Sequence, residues 1–418
     1  MKKTAVIYGG GTVMHIRPHL ALSAPAYGAT ARWLAKVLEG KFDIDLRLTR
    51  MAGGDEIETN DDLRRDIERV IADPRVGLIV TTAAVCDFRA TAITDHKWGT
   101  IGAVGKSERR LSSSGDYSMR LAPTDKLIGA IRKERKDIFL VACKTTTGAT
   151  EQEQFDAALG LLKRNSCNLV LANDLETRVN MVVTPEMAAY GTSTERRHTL
   201  RRLTLMINAR AGLTFTPTRV LDKPDMIPWG NAPKALREVV DWLVERGAYP
   251  AFNGVTVGHF GWMPQPRVLY SSRRKHNFNK VGDRDLVRVE FDREQPVAYG
   301  FKPSAGVRSQ YSVLRETHEN GHEGYDLIVH FHCPMKSSAV GVLVQDQWPY
   351  ECGSQECGEN TLRGMREVEP GIHAVMLDRH GPNIVFRRDT DPKAVIRFIE
   401  QNFDLSKRAG APERAQAQ

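Results

Sequence analysis

Two histidines at alternate positions, His330 and His332 in Leu327-Ile328-Val329-His330-Phe331-His332, are the residues in this 418-residue chain best suited to chemistry. The apolar run that carries them reads as a strand, and in a strand residues i and i+2 share a face. Neutral imidazoles aimed at one point suit Zn²⁺ and related divalent ions. His380, in Met376-Leu377-Asp378-Arg379-His380-Gly381, closes another strand-like run and is a third candidate ligand. A chance pair on a half-exposed strand is the competing explanation.

A second group opens the chain. Ala5-Val6-Ile7-Tyr8-Gly9-Gly10-Gly11-Thr12 is an apolar run ending in glycines, followed by a loop and a helical pattern from Gly28. Glycines at such a junction let backbone N–H groups approach a phosphate with no Cβ in the way. A tight strand–loop–helix turn without a ligand has the same residues. Further along come Ala83-Ala84-Val85-Cys86-Asp87-Phe88, Pro123-Thr124-Asp125-Lys126 and Leu169-Val170-Leu171-Ala172-Asn173-Asp174. Each follows, or ends, a strand-like segment. Asp87 and Asn173-Asp174 are also ordinary cap and turn residues.

The elements that must position these groups alternate. Strands are expected at Ala5–Tyr8, Ile44–Leu48, Gly77–Thr82, Ile138–Cys143 and Asn168–Ala172, with helices at Gly28–Leu38, Asp61–Ile71, Asp125–Lys133 and Glu151–Lys163. That rhythm predicts an α/β fold, a doubly wound, Rossmann-like, mostly parallel sheet, with ligands beyond the carboxyl ends of its strands. Residues 107–122 break it and read as a flap. Residues 216–232, with Pro217, Pro224, Pro228 and Gly230, read as a linker between a first domain, 1–215, and a second, 233–405. The second domain opens on the helical pattern Pro233–Arg246. It then mixes strands (Arg267–Ser271, Asp285–Phe291, Tyr325–Phe331, Gly371–Leu377) with helices near Gln310–His318, Gln355–Glu367 and Pro392–Asn402. Residues 406–418 read as a disordered tail.

Composition narrows the classes. No apolar run reaches the ~18–20 residues of a membrane span, and Met1-Lys2-Lys3-Thr4 leads straight into a strand, so no membrane partner and a cytoplasmic location are expected. Six cysteines are too sparse for a disulfide scaffold; Cys352 and Cys357 have no second close pair to complete a zinc site. The formal charge of +8, with basic runs at Lys106–Arg110, Arg132–Lys136, Arg196–Arg202 and Arg273–Lys275, suits phosphorylated small molecules. No motif for sequence-specific nucleic-acid reading accompanies it.

Taken in order over about residues 4–210, the motifs Gly10-Gly11-Thr12, Ile16-x-Pro18, Ala83-Ala84-Val85-x-Asp87-Phe88, Ser112-Ser113-x-Gly115 and Ala172-Asn173-Asp174-Leu175 resemble the phosphopantothenoylcysteine synthetase family. The resemblance implies a nucleoside triphosphate, CTP or ATP with Mg²⁺, that activates a carboxylate for attack by an amine. Gly10, Gly11, Thr12, Ala84, Asp87, Pro123, Thr124, Asp125 and Lys126 would line the nucleotide site. Arg110, at the position of the family's flap lysine, and Asn173 would serve catalysis. The family's intermediate-stabilising asparagine is replaced by Ala24. An amide donor of that kind is worth about 2.7–4 kcal/mol of barrier.

Over about residues 235–400, the order Asp285-Leu286-Val287, Lys302-Pro303-Ser304, His330-Phe331-His332, Pro349-Tyr350 and Arg379-His380-Gly381 resembles the class II aldolase/adducin family. The resemblance implies a second α/β domain of that type, with His330, His332 and His380 as ligands of a divalent metal, zinc foremost. The family's Pro-Ser-Ser-Glu turn is here Pro303-Ser304-Ala305-Gly306, so its acid/base carboxylate is missing; Glu351 and Glu356 are candidate substitutes. Together the resemblances imply a bifunctional enzyme acting on a phosphorylated small molecule as a homo-oligomer. A sensor or scaffold built from degenerate enzyme domains is the alternative.

Overall fold

The computed structural model describes residues 2–412 except 98, 283, 292–294 and 320–324. The chain packs as two compact units, Met1–Thr184 with Gly191–Ala211, and Pro185–Tyr190 with Gly212–Gln418. No described helix is long and apolar enough to cross a membrane.

In the first unit the strands Thr4–Gly9, Asp43–Leu48, Val76–Thr81, Phe139–Thr146 and Leu169–Asp174 pair in parallel, and Asn180–Val183 adds antiparallel. Val6, Ile7, Leu78, Ile79, Val80, Leu140, Val141, Val170 and Leu171 are wholly buried. Such continuous apolar runs are what a sheet covered on both faces requires. Two helices start at full capping boxes, Thr59 with Asp62 and Thr150 with Glu153, which satisfy the first free N–H groups of each. Thr4–Gly9 sits between Asp43–Leu48 and Val76–Thr81. The chain therefore leaves it in one direction and returns past it in the other, which puts the topological switch point between Thr4–Gly9 and Val76–Thr81. The flap is a ribbon in which Tyr117–Pro123 pairs antiparallel with Phe88–Asp95. The second of these strands follows the Asp87 loop directly and carries no alternation that marks it in the sequence.

In the second unit a largely antiparallel sheet carries helices on both faces. Lys234–Glu245 and Pro392–Asn402 cover one face, packing Leu236, Val239, Val395 and Phe398 against Leu327, Val329 and Phe331. Val307–Glu319 and Gln355–Gly364 cover the other, with Val313 and Leu314 against Ile328, Val375 and Val385. From Leu327 onward odd and even residues thus serve different cores, the period-two alternation of a strand, whereas Tyr325, before a register shift in the pairing with Gly381–Arg387, packs with Ile328. His330 lies on the same side as Ile328.

Two expectations are corrected. The stretch 216–232 is not a free linker: Arg219–Leu221 pairs in parallel with Val297–Tyr299, and Met226–Ile227 pairs with Leu286–Val287. Short strands between prolines leave no periodicity to read, yet they satisfy sheet-edge hydrogen bonds. The start of the expected tail is also packed. Ala409 is 2% exposed and its N–H donates to the His332 carbonyl at 2.9 Å. Residues 413–418 lie outside the described residues.

Candidate functional site: a three-histidine centre and a strand-end edge

Three elements bring the imidazoles together. Tyr325–His330 is a central strand, with His330 opposite His259 on one side and Asn383 on the other. His332 follows two residues beyond the strand's end. His380 stands in the turn between Ile372–Leu377 and Gly381–Arg387, its N–H donating to the Leu377 carbonyl at 3.0 Å. Arg379 there has φ 56° and Gly381 φ 131°, so the turn is tight. A Cβ on Gly381 would run into the Phe331 carbonyl oxygen and come within 3.1 Å of His332 Cα. Glycine at 381 lets the two histidine-bearing segments approach.

The result is a buried cluster. His330, His332 and His380 are 1%, 7% and 2% exposed, and one ring nitrogen of each lies within 4.8 Å of the others. Their rings stand at 65°, 67° and 86° to one another. His330 Nδ1 is 2.8 Å from the Pro382 carbonyl oxygen. A carbonyl only accepts, so Nδ1 carries the proton and Nε2 presents a lone pair. That Nε2 lies 3.2 Å from His380 Nε2. Two nitrogens bound tetrahedrally to one ion at about 2.0–2.1 Å stand roughly 3.3–3.4 Å apart, so the spacing fits. Burial pushes the His330 pKa down to about 4, against the upward pull of the Pro382 carbonyl. The ring is therefore neutral at pH 7, as a metal ligand must be.

No carboxylate joins the three imidazoles among the described residues. Glu356 is engaged elsewhere, accepting the Thr214 N–H at 3.0 Å at the start of its helix. Position 306 faces His259: a Cβ there would lie 2.7 Å from His259 Nε2. His259 is a fourth imidazole at this centre, 4.7 Å from His330 between ring centroids and 5% exposed. Nothing in its local sequence announces it; the strand register alone puts it opposite His330.

In the first unit the parallel strands end along one edge, and the sequence-selected loops gather there. They divide into two kinds. Gly10, Gly11, Thr12 and Ala84 are knitted to one another and to the next loop. The Gly11 N–H donates to Ala26, the Thr12 N–H to Ala84 and the Ala84 N–H to Gly10. Thr12 is wholly buried, its hydroxyl 2.6 Å from Asn60 Oδ1 and accepting the Cys86 N–H at 2.9 Å. The N–H groups of Gly11 and Thr12 are thus committed to protein carbonyls. The glycines serve close approach of backbone to backbone at the switch point, which the sequence pattern cannot tell from approach to a phosphate.

The second kind is open to solvent. Asp87 and Lys126 are exposed and 2.5 Å apart, with the Thr124 N–H donating to the Asp87 carbonyl and the Thr124 hydroxyl to that of Cys86. Pro123 ends the flap strand opposite Phe88, and Asp125 is exposed beside Lys126. Arg110 is exposed in an irregular stretch of the flap. Asn173 accepts from the Thr145 hydroxyl at 3.2 Å. Three strand spacings separate Asn173 from Gly9, about 14 Å, so these groups do not meet at a point and suit an extended ligand laid across the edge.

Asp174, beside Asn173, anchors this edge. Burial alone would raise its pKa, but the N–H groups of Thr177, Ala149 and Glu176 and the Thr146 hydroxyl hold it well below the ordinary carboxylate value. A depressed pKa contributes stability that is present above the unfolded value and is lost as pH falls through the folded one. Asp174→Ala is expected to lower the melting temperature at pH 7, with the deficit shrinking in strongly acidic buffer. Paired thermal melts across pH check this; a constant deficit would contradict it.

No family model matches the chain. Over 121 residues, 29% of its length, it is 29% identical to the coenzyme A biosynthesis bifunctional protein CoaBC of Thermococcus kodakarensis, and the match spans 27% of that relative. Among solved structures, the DNA/pantothenate metabolism flavoprotein from Streptococcus pneumoniae aligns with 49% of this chain and 99% of its own, at 18% identity and a TM-score of 0.42. L-Fuculose-1-phosphate aldolase from Thermus thermophilus aligns with 41% of this chain and 89% of its own, at 16% identity and a TM-score of 0.30. The chain is thus similar over part of its length to a coenzyme A biosynthesis protein, and it aligns at low score with a pantothenate-metabolism flavoprotein and an aldolase.

Proposed function

We propose that the protein is a bifunctional enzyme: a nucleotide-dependent carboxylate–amine ligase joined to a divalent-metal-dependent lyase that acts on a phosphorylated small molecule. The convergence of His330, His332 and His380 carries this reading. A bound metal would supply Lewis acidity, polarising a carbonyl so that a neighbouring carbon–carbon bond can break. The chain's own work is to hold the three imidazoles in place. The Pro382 carbonyl fixes the His330 tautomer, and the turn at Gly381 sets His380. Burial of the centre excludes bulk water.

In the first unit, Asp87, Lys126 and Asn173 along the strand-end edge would be the nucleotide-facing groups, with CTP or ATP and Mg²⁺ as co-substrate. Arg110 brings positive charge from the flap. A second reading keeps binding and drops turnover, and Ala24 and Gly306 favour it, since they stand where the resembled families have an intermediate-stabilising asparagine and an acid/base carboxylate. Turnover separates the two. The enzyme reading predicts pyrophosphate release from CTP or ATP when 4′-phosphopantothenate is present, sustained over many turnovers only when cysteine is added to take the acyl group and release the nucleoside monophosphate. It also predicts chelator-sensitive aldehyde release from phosphorylated hydroxy-ketones. Nucleotide-induced thermal stabilisation with neither product would leave the sensor.

A further inference from the structure

Resting on the metal centre just proposed, we infer that His259 is a ligand-contacting residue of that centre, which takes the place of a side chain at position 306 and holds an oxygen of the bound small molecule through its ring.

Geometry supports this at three points. His259 opens the strand His259–Gln265 and is in register with His330, so the two side chains leave adjacent strands on the same face. Its ring lies 4.7 Å from that of His330, tilted by 33°. Secondly, any Cβ at 306 would sit 2.7 Å from Nε2 and 2.8 Å from Cδ2 of His259. The imidazole and a residue-306 side chain therefore compete for one volume, and in this chain the imidazole fills it. Thirdly, His259 is 5% exposed, yet its Nδ1 has no hydrogen-bond partner among the described residues. A buried polar atom left without a partner is costly, and such an atom beside a metal centre is accounted for by a ligand that satisfies it.

The ligand class follows from charge. Three neutral imidazoles leave a divalent ion uncompensated, with no carboxylate in the cluster among the described residues. An anionic chelating oxygen ligand, of the hydroxy- or oxo-carboxylate kind, balances that charge. The His259 ring then bonds an oxygen that a glutamate at 306 would repel. The site is thus built to receive an anion rather than to present one.

The experiment uses the full chain loaded with Co²⁺ and oxalate as the probe, followed by visible absorption. Wild type and His259→Ala should both take up stoichiometric cobalt, and oxalate should perturb the wild-type spectrum. His259→Ala should bind oxalate about tenfold or more weakly, the loss expected for a hydrogen bond to a charged group. Equal affinity within about twofold, or no oxalate binding by wild type, overturns the inference. Failure of wild type to take up cobalt overturns the metal reading as well, and is recognised before any variant is compared. Metal-free melts test the shared volume independently. Gly306→Ala should lower the melting temperature, and His259→Ala in the same chain should recover most of the loss. An unaffected Gly306→Ala, or no recovery, overturns the exchange.

Discussion

Replacing any one of His330, His332 and His380 by alanine is expected to weaken divalent-metal binding by more than about a hundredfold, since loss of an outer-shell partner alone costs about 10–100-fold. The three ring nitrogens meet within 4.8 Å in a buried cluster, and no carboxylate among the described residues can replace a lost one. The apo fold should survive each change. His332 and His380 lie outside regular strands, so a smaller side chain at either position leaves the sheet's hydrogen bonds in place. Dialysis followed by elemental analysis reads the first effect and circular dichroism the second. A variant that keeps both its secondary structure and its metal would show that the missing imidazole is not a ligand.

Gly381→Ala is expected to be the most damaging of the single-methyl changes. At φ 131° an L-residue is strained, and the new Cβ would collide with the Phe331 carbonyl on the strand segment that carries His332. Strain of this kind costs about 1–3 kcal/mol before the collision is counted, which lowers the melting temperature by roughly 2–12 °C in a unit of this size. Because the collision separates His380 from His332, metal affinity should fall too. Gly212→Ala, with nothing within 4 Å and no positive φ, is the control that should leave both unchanged. Differential scanning calorimetry with and without zinc measures the pair. If Gly381→Ala behaves like Gly212→Ala, the turn does not hold the centre together.

How far the sequence reaches depends on the range of the signal. The His330–His332 pair is legible because strand period two is local: alternate residues must share a face. The parallel sheet is legible for the same reason, from apolar runs such as Leu78–Val80 and Leu169–Leu171 separated by helical periods. His380 is legible only as a histidine closing another strand-like run, and the order of motifs is what joins it to the pair. His259 does not enter at all, since it reaches the centre through the pairing of two strands distant in sequence. Gly306 is legible as the loss of a carboxylate, but not as the space that admits an imidazole. The Gly10–Thr12 turn is ambiguous in the sequence. Glycine permits close approach, and the sequence does not say whether a phosphate or the Ala26 and Ala84 carbonyls come close. The strands at Arg219–Leu221 and Met226–Ile227 escape because two or three residues carry no period.

Equilibrium dialysis of the metal-free full-length chain against zinc, alongside a His330→Ala/His380→Ala variant, tests the central claim most directly. Stoichiometric zinc on the wild type and none on the equally folded variant is the predicted result. Zinc retained by the variant, or absent from the wild type, would contradict a metal centre built on these imidazoles.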